Sequence, residues 1–213
     1  MKTVLLLILA GMLGCASSGN DSGLDAGSGG GPGSGAGGTA GAGGMAGAGG
    51  AGGVTGDPER LVFVTASTSD ADLAGLLGAD ALCANEAADA GIEGDFKAWL
   101  STVDTPVGGR LEQAEVPYVL VDGTRIANDW TDLTDGSLLA PINLDAAGQQ
   151  RGGDVWTGTL PSGESYDVDE CAGYMSNGGG MGLCGTTRST GAAWSASQTP
   201  SCGTPLRLFC FQQ

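Results

Sequence analysis

The stretch ADALCANEAADAGIEGDFKAWLST, residues Ala79 to Thr102, contains the strongest structural signals of the chain. Its first half, Ala79 to Ala90, is rich in helix-forming residues, so we predict a helix that carries Cys83 and ends at Gly91. A second short helix is predicted from Phe96 to Ser101. The segment therefore predicts two consecutive helices near the beginning of a folded domain.

The predicted first helix has a helix-forming run before it, beginning at Ala71, but Gly75 and Gly78 interrupt this run. We therefore expect the helix to begin only at Ala79. The side chains expected to face the core are Leu73, Leu76, Leu77, Ala79, Leu82, Cys83, Phe96, Trp99 and Leu100.

Short apolar, β-branched runs outside this segment predict strands. They are Arg60 to Thr65, Tyr118 to Val121, Arg125 to Ala127, Val155 to Thr159 and Leu206 to Phe211. Clusters of Gly, Asn, Asp, Ser and Pro separate them and predict long loops. Two early helices followed by short strands and long loops favour an α+β fold.

The N-terminal sequence MKTVLLLILAGMLGC is typical of a signal peptide. Its apolar run, Val4 to Leu13, is about half the length that a membrane-spanning helix needs. The end of this run, Met12 to Cys15, resembles the lipobox of bacterial lipoproteins. That resemblance implies a signal peptide at residues 1–14, an acylated Cys15 that reaches the membrane through its lipid, and, without aspartate after the cysteine, an outer-membrane location. Ordinary secretion with a chance cysteine is the alternative.

Residues 15–56 are mostly glycine and alanine, with no aromatic residue. Such a segment buries too little apolar surface to fold, so we expect a flexible tether with a span of about 35 Å. Residues 57–213 then form one domain. From Asp57 onward, 22 acidic and 7 basic side chains give a net charge near −15. This charge repels nucleic acid, heparin-like polyanions and anionic lipid.

Five cysteines lie in the predicted domain: Cys83, Cys171, Cys184, Cys202 and Cys210. In an exported chain such cysteines are expected to form disulfides. Because CxxC motifs and histidine are absent, we expect no zinc site. Five is an odd number, so two bridges leave one cysteine over. Spacing alone allows fifteen such pairings.

The segment of residues 79–102 resembles the part of endostatin and its bacterial relatives in which a cysteine-bearing helix precedes a glycine, a phenylalanine and a second helix. The similarity continues through a Trp-Gly strand and three C-terminal cysteines, so that it covers most of residues 61–211. The residues that carry this second part are Val155 to Gly158, Cys171, Ser201 to Cys202, and Leu206 to Cys210.

The resemblance extends to the leptospiral endostatin-like surface lipoproteins, and it implies a C-type-lectin-like fold with two N-terminal helices, short antiparallel strands and long loops. It also implies disulfides between Cys83 and Cys210 and between Cys171 and Cys202. Cys184 has no counterpart in the family pattern and is either a buried thiol outside both bridges or part of an alternative bridge with Cys171 or Cys202.

Departures from the family pattern limit which activities can be transferred. The domain has no histidine and few basic residues, so the zinc and heparin binding of vertebrate endostatin is not expected. The Glu-Pro-Asn and Trp-Asn-Asp motifs of calcium-dependent lectins are also absent. Without histidine a serine or cysteine nucleophile has no conventional base, so we expect no enzyme activity.

A run of aspartates around Trp130 is the candidate ligand-binding site, and it comprises Asp129, Asp132 and Asp135. Carboxylates of this kind bind calcium, although the spacing differs from that of an EF-hand. The alternative is an Asp-rich turn in which the carboxylates cap their own backbone. Two functions stay open: a surface domain that binds a protein or glycan, or a structural envelope component without a soluble ligand.

Overall fold

The first strand, β1 (Arg60–Val64), lies at the centre of the main sheet. The computed structural model describes residues 58–167 and 171–213. Val62 and Val64 point into one hydrophobic core and Phe63 into a second, as the alternation of strand side chains requires, and all three are fully buried. An unbroken apolar run thus becomes a strand that is covered on both faces.

Five strands form the main sheet, in the order β2-β7-β1-β3-β4. Strands β5 and β6 form a separate antiparallel pair. The remaining strands are β2 (Phe96–Ala98), β3 (Tyr118–Leu120), β4 (Arg125–Ala127), β5 (Asp154–Trp156), β6 (Cys184–Thr186) and β7 (Phe209–Gln212). Each of the five predicted strand segments overlaps a strand, whereas β2 and β6 were not predicted as strands.

The expectation of antiparallel strands alone was wrong for one pair. β1 is antiparallel to β7, with Phe63 opposite Cys210, but it is parallel to β3, with Leu61 opposite Val119. Parallel neighbours need a long crossover, and the chain between β1 and β3 supplies one because it contains a helix and β2.

The long helix α1 (Gly75–Asp89) begins four residues earlier than predicted. The preceding Ala74 has φ 59° and Gly75 has φ 72°, so a left-handed bend turns the chain into the helix. A β-carbon at Gly78 would lie 1.8 Å from the carbonyl oxygen of Leu73, so this glycine permits the close turn instead of breaking the helix. Leu77, predicted to face inward, is 83% exposed.

The predicted second helix, Phe96 to Ser101, was wrong, because its first half is strand β2. Ala98 pairs with Cys210 of β7 in the ladder, and its backbone N–H also donates to a carboxylate oxygen of Asp80 at 2.9 Å. An available strand edge outweighs local helix preference. The predicted burial is nevertheless correct, since Phe96, Trp99 and Leu100 are at most 3% exposed.

Two disulfides join distant parts of the chain, and they are the pairings that the resemblance implied. Cys83 of α1 is bonded to Cys210 of β7, and Cys171 is bonded to Cys202. Cys184 begins β6, is fully buried and belongs to neither bridge. The structure is therefore a mixed α+β fold with few helices, small sheets and two disulfides.

The three shortest helical elements are α2 (Val107–Arg110), α3 (Trp130–Leu133) and a 3-10 turn (Ala192–Trp194). A further turn, Cys171–Tyr174, is left-handed: all four residues have φ between 51° and 69°. Only one of the four is glycine, so the turn is strained.

Several predictions concern residues outside those that the structure describes. They are the signal peptide at 1–14, the lipidation site Cys15, the tether at 15–56 and the domain boundary at Asp57. Within the described ranges, no helix is long and apolar enough to cross a membrane.

Candidate binding surface

Trp130 stands at the start of α3, where its backbone fixes it against the neighbouring loop. Its backbone N–H donates to the carbonyl oxygen of Ala114 at 2.9 Å. The preceding residue, Asp129, caps the helix because its carboxylate accepts a hydrogen bond from the N–H of Asp132 at 2.9 Å. The indole is half-buried, with its ring centre 5.8 Å from that of Trp99. One part of this tryptophan thus packs on the core and the rest reaches solvent.

A buried network of hydroxyl groups holds Trp99, the tryptophan on which Trp130 packs. The indole N–H of Trp99 donates to Oγ of Ser195 at 2.8 Å, and that hydroxyl donates to the carbonyl oxygen of Thr159 at 2.7 Å. The Thr159 hydroxyl is also within hydrogen-bond distance of Ser101 Oγ, at 2.8 Å. These groups are fully buried and satisfy one another, so they give Trp130 a rigid support.

A cleft of about 420 Å³ opens beside Trp130. Within the described part of the chain, the indole N–H of Trp130 makes no hydrogen bond and is not buried. It is therefore a donor available to a ligand, next to amide, carboxylate and hydroxyl groups. The cleft is lined by Gln113, Ala114, Glu115, Asp129, Trp130 and Thr131.

The predicted aspartate run divides into two groups. Asp129 and Trp130 line the cleft, whereas Asp132 and Asp135 do not. Asp132 accepts hydrogen bonds from the backbone and side-chain nitrogens of Asn128, at 2.7 and 2.9 Å. Asp135 accepts two from Ser137, both at 2.9 Å.

This pattern is the capping arrangement that was the alternative to calcium chelation. Among residues 58–167 and 171–213, no three His, Cys, Asp or Glu side chains are grouped so that they could hold a metal ion.

A second cleft, of about 400 Å³, lies on a different set of loops. Its lining includes two arginines, Arg151 and Arg188, and nothing in the sequence pointed to it because these residues are far apart in the chain. The complete lining is Pro141, Asn143, Gln150, Arg151, Gly152, Thr187 and Arg188.

A buried carboxylate positions one of these arginines. Nε of Arg151 lies 2.6 Å from a carboxylate oxygen of Asp145, which is 2% exposed. Burial alone would raise the pKa of the Asp145 carboxyl, but the backbone N–H of Gln149, the Arg151 guanidinium and the backbone N–H of Ala147 outweigh it and hold that pKa below its usual range. The carboxylate is thus charged at neutral pH and fixes the guanidinium.

The other cations are mostly used within the fold. Arg110 forms a two-point ion pair with Asp80, and Arg60 pairs with Glu112. Arg207 donates to the carbonyl oxygens of the loop that follows β1. Its Nε also donates to the carbonyl oxygen of Gly152 at 3.3 Å.

The chain matches no protein-family model, and no curated protein is significantly similar to it.

Proposed function

We propose that this chain is a lipid-anchored protein of the bacterial cell envelope that displays a non-catalytic binding domain with a C-type-lectin-like, endostatin-like fold. Acylated Cys15 would hold the protein in the outer membrane, and the glycine-rich segment that follows would give the domain reach. The two bridges of the structure, Cys83 to Cys210 and Cys171 to Cys202, support the fold proposal because they agree with the family pattern.

The Trp130 cleft carries the binding proposal. It combines a half-buried indole, whose N–H has no hydrogen-bond partner among the described residues, with neighbouring groups that can donate and accept hydrogen bonds. Aromatic rings with a polar edge are common at the recognition sites of proteins and glycans because they offer apolar contact and a hydrogen bond together. The proposed activity is therefore recognition of a protein or glycan outside the cell, as in adhesion.

Support from the core makes this cleft suitable for recognition. Trp130 lies on Trp99, whose indole is fixed by Ser195, so the ring changes little between the free and bound states. A ligand then loses less free energy to ordering of the protein.

The test uses the purified full chain in detergent, applied to glycan and extracellular-matrix protein arrays beside a pull-down from envelope extract. We expect saturable binding to an array component. Trp130→Phe should abolish most of it, since phenylalanine keeps the contact with Trp99 but removes the indole N–H. The matched control is Leu77→Ala, which removes an apolar side chain that is 83% exposed, and it should bind as the wild type does.

Two results would count against the proposal. Capture of envelope neighbours alone, with no array ligand, would favour a structural envelope component. Binding that is equally strong in the Trp130→Phe variant would show that the ligand site lies elsewhere.

A further inference from the structure

Arg188 differs from every other cationic side chain in the described part of the chain, because it is exposed and makes neither an ion pair nor a hydrogen bond there. The domain around it is strongly acidic, so a carboxylate partner would be easy to supply. Arginine that is left uncompensated at a cleft, in a protein with many carboxylates, is a candidate for contact with an external anion.

The Arg188 side chain reaches over the chain segment that carries Arg151. A β-carbon placed on Gly152 would lie 3.8 Å from a terminal nitrogen of Arg188. Arg151 and Arg188 thus line one cleft, although they are more than thirty residues apart in sequence. Gly152, which also lines the cleft, adds no side chain beside the Arg188 guanidinium.

Arg151 still has donors for a ligand. Its Nε is engaged by Asp145, but no hydrogen bond within the described residues uses its two terminal nitrogens. Because Asp145 is buried and charged, it orients the guanidinium and neutralises one positive charge. Arg151, Arg188 and Asp145 together therefore carry a net charge of about +1.

A net charge of about +1 favours a ligand with one negative charge. A monoanion is matched by the cleft, whereas a polyanion would meet the repulsion of the acidic domain around it. The rest of the lining contains two amide side chains, Asn143 and Gln150, and no aromatic ring. The Thr187 hydroxyl is buried and donates to the carbonyl oxygen of Gly153 at 3.1 Å. The amide groups are suited to the hydroxyls of a sugar. The volume, about 400 Å³, is within the range of small-molecule sites.

We propose that this cleft binds a sugar acid, with the carboxylate of a single hexuronate residue held between Arg151 and Arg188 and its hydroxyls on the amide side chains. The site is separate from the Trp130 cleft and does not depend on the function proposed for it.

Galacturonate and galactose are the probes, since they differ at the carboxylate alone. Binding to the full chain in detergent is measured by heteronuclear NMR titration. We expect saturable shifts of the Gly152 and Arg188 amides with galacturonate, none with galactose, and weaker binding as salt concentration rises.

Arg188→Gln should weaken galacturonate binding about tenfold or more, as expected for loss of a charge-assisted hydrogen bond. Arg125→Gln is the matched control. It removes the same charge from another exposed arginine, and it should change the affinity by about twofold at most at moderate salt.

The proposal is overturned if galacturonate does not bind, if galactose binds equally well, or if the two arginine variants lose the same affinity. Equal binding of N-acetylglycine, a monoanion without sugar hydroxyls, would overturn the assignment to a sugar acid. If Trp130→Phe loses array binding but still binds galacturonate, the failure concerns the Trp130 cleft alone. If the array ligand binds but galacturonate does not, the failure concerns the Arg151 and Arg188 cleft alone.

Discussion

Removal of the Cys83–Cys210 disulfide is expected to destabilise the domain more than removal of the Cys171–Cys202 disulfide. The bonded cysteines are 127 residues apart in the first bridge and 31 in the second. The chain-entropy model converts these loop lengths into a stabilisation of about 5 and about 4 kcal/mol, respectively.

Backbone strain in the native state increases the expected difference in stability loss between the two disulfides. The second bridge holds the left-handed turn Cys171–Tyr174, in which three residues other than glycine have positive φ. Each such residue costs about 1–2 kcal/mol. When Cys171 is no longer tied, part of this strain can relax, so we expect a net loss of about 1–3 kcal/mol for the second bridge and about 5 kcal/mol for the first.

The variants are the double substitutions Cys83→Ala with Cys210→Ala and Cys171→Ala with Cys202→Ala. All four sulfur sites are at most 2% exposed, so the side-chain truncations themselves are comparable. Unfolding in guanidinium chloride, monitored by circular dichroism, gives the free energies of unfolding. An equal or greater loss in the second variant would refute the reasoning.

Three other substitutions test the packing and the electrostatics. Arg110→Met leaves the Asp80 carboxylate, 20% exposed, without its ion-pair partner, so denaturant unfolding should show a loss of about 3 kcal/mol, and a loss below about 1 would contradict the role of the pair. Asp145→Asn should be less stable than the wild type at pH 7 by about 2–3 kcal/mol. Because folding lowers the pKa of the Asp145 carboxyl, its stabilisation is present above the unfolded pKa near 4 and disappears as pH falls through the native pKa. If the difference in unfolding free energy between wild type and variant stays constant in acid, the carboxylate is not its source. Gly185→Ala should cost about 3 kcal/mol or more, since its β-carbon would lie 1.8 Å from the carbonyl oxygen of Trp194, and an unchanged thermal midpoint would contradict this packing.

Local sequence signals were sufficient where local and tertiary preferences agree. The helix over Ala79 to Ala90 and the strand from Arg60 follow from composition and alternation, and both are present in the structure. Local signals failed where contacts with distant parts of the chain determined the secondary structure. Phe96 to Ser101 has helix-forming character, but the free edge of β7 and the Asp80 carboxylate draw its first residues into a strand.

The candidate sites were only partly predictable for the same reason. The aspartate run drew attention to Trp130, but the Gln113 to Glu115 wall of its cleft comes from another loop. The Arg151 and Arg188 cleft left no sequence pattern, because neither arginine has a distinctive neighbour. The pairing of cysteines needed the family resemblance, since spacing alone allowed many solutions.

Tryptophan fluorescence tests the binding proposal most directly, because all four tryptophans lie in the described ranges and Trp130 is the only one of them exposed to solvent there. The other three, Trp99, Trp156 and Trp194, are fully buried. An array ligand that occupies the cleft should change the emission and protect it from acrylamide quenching in the wild type, with no effect in Trp130→Phe. A ligand that binds with unchanged quenching of the wild type would contradict recognition at this cleft.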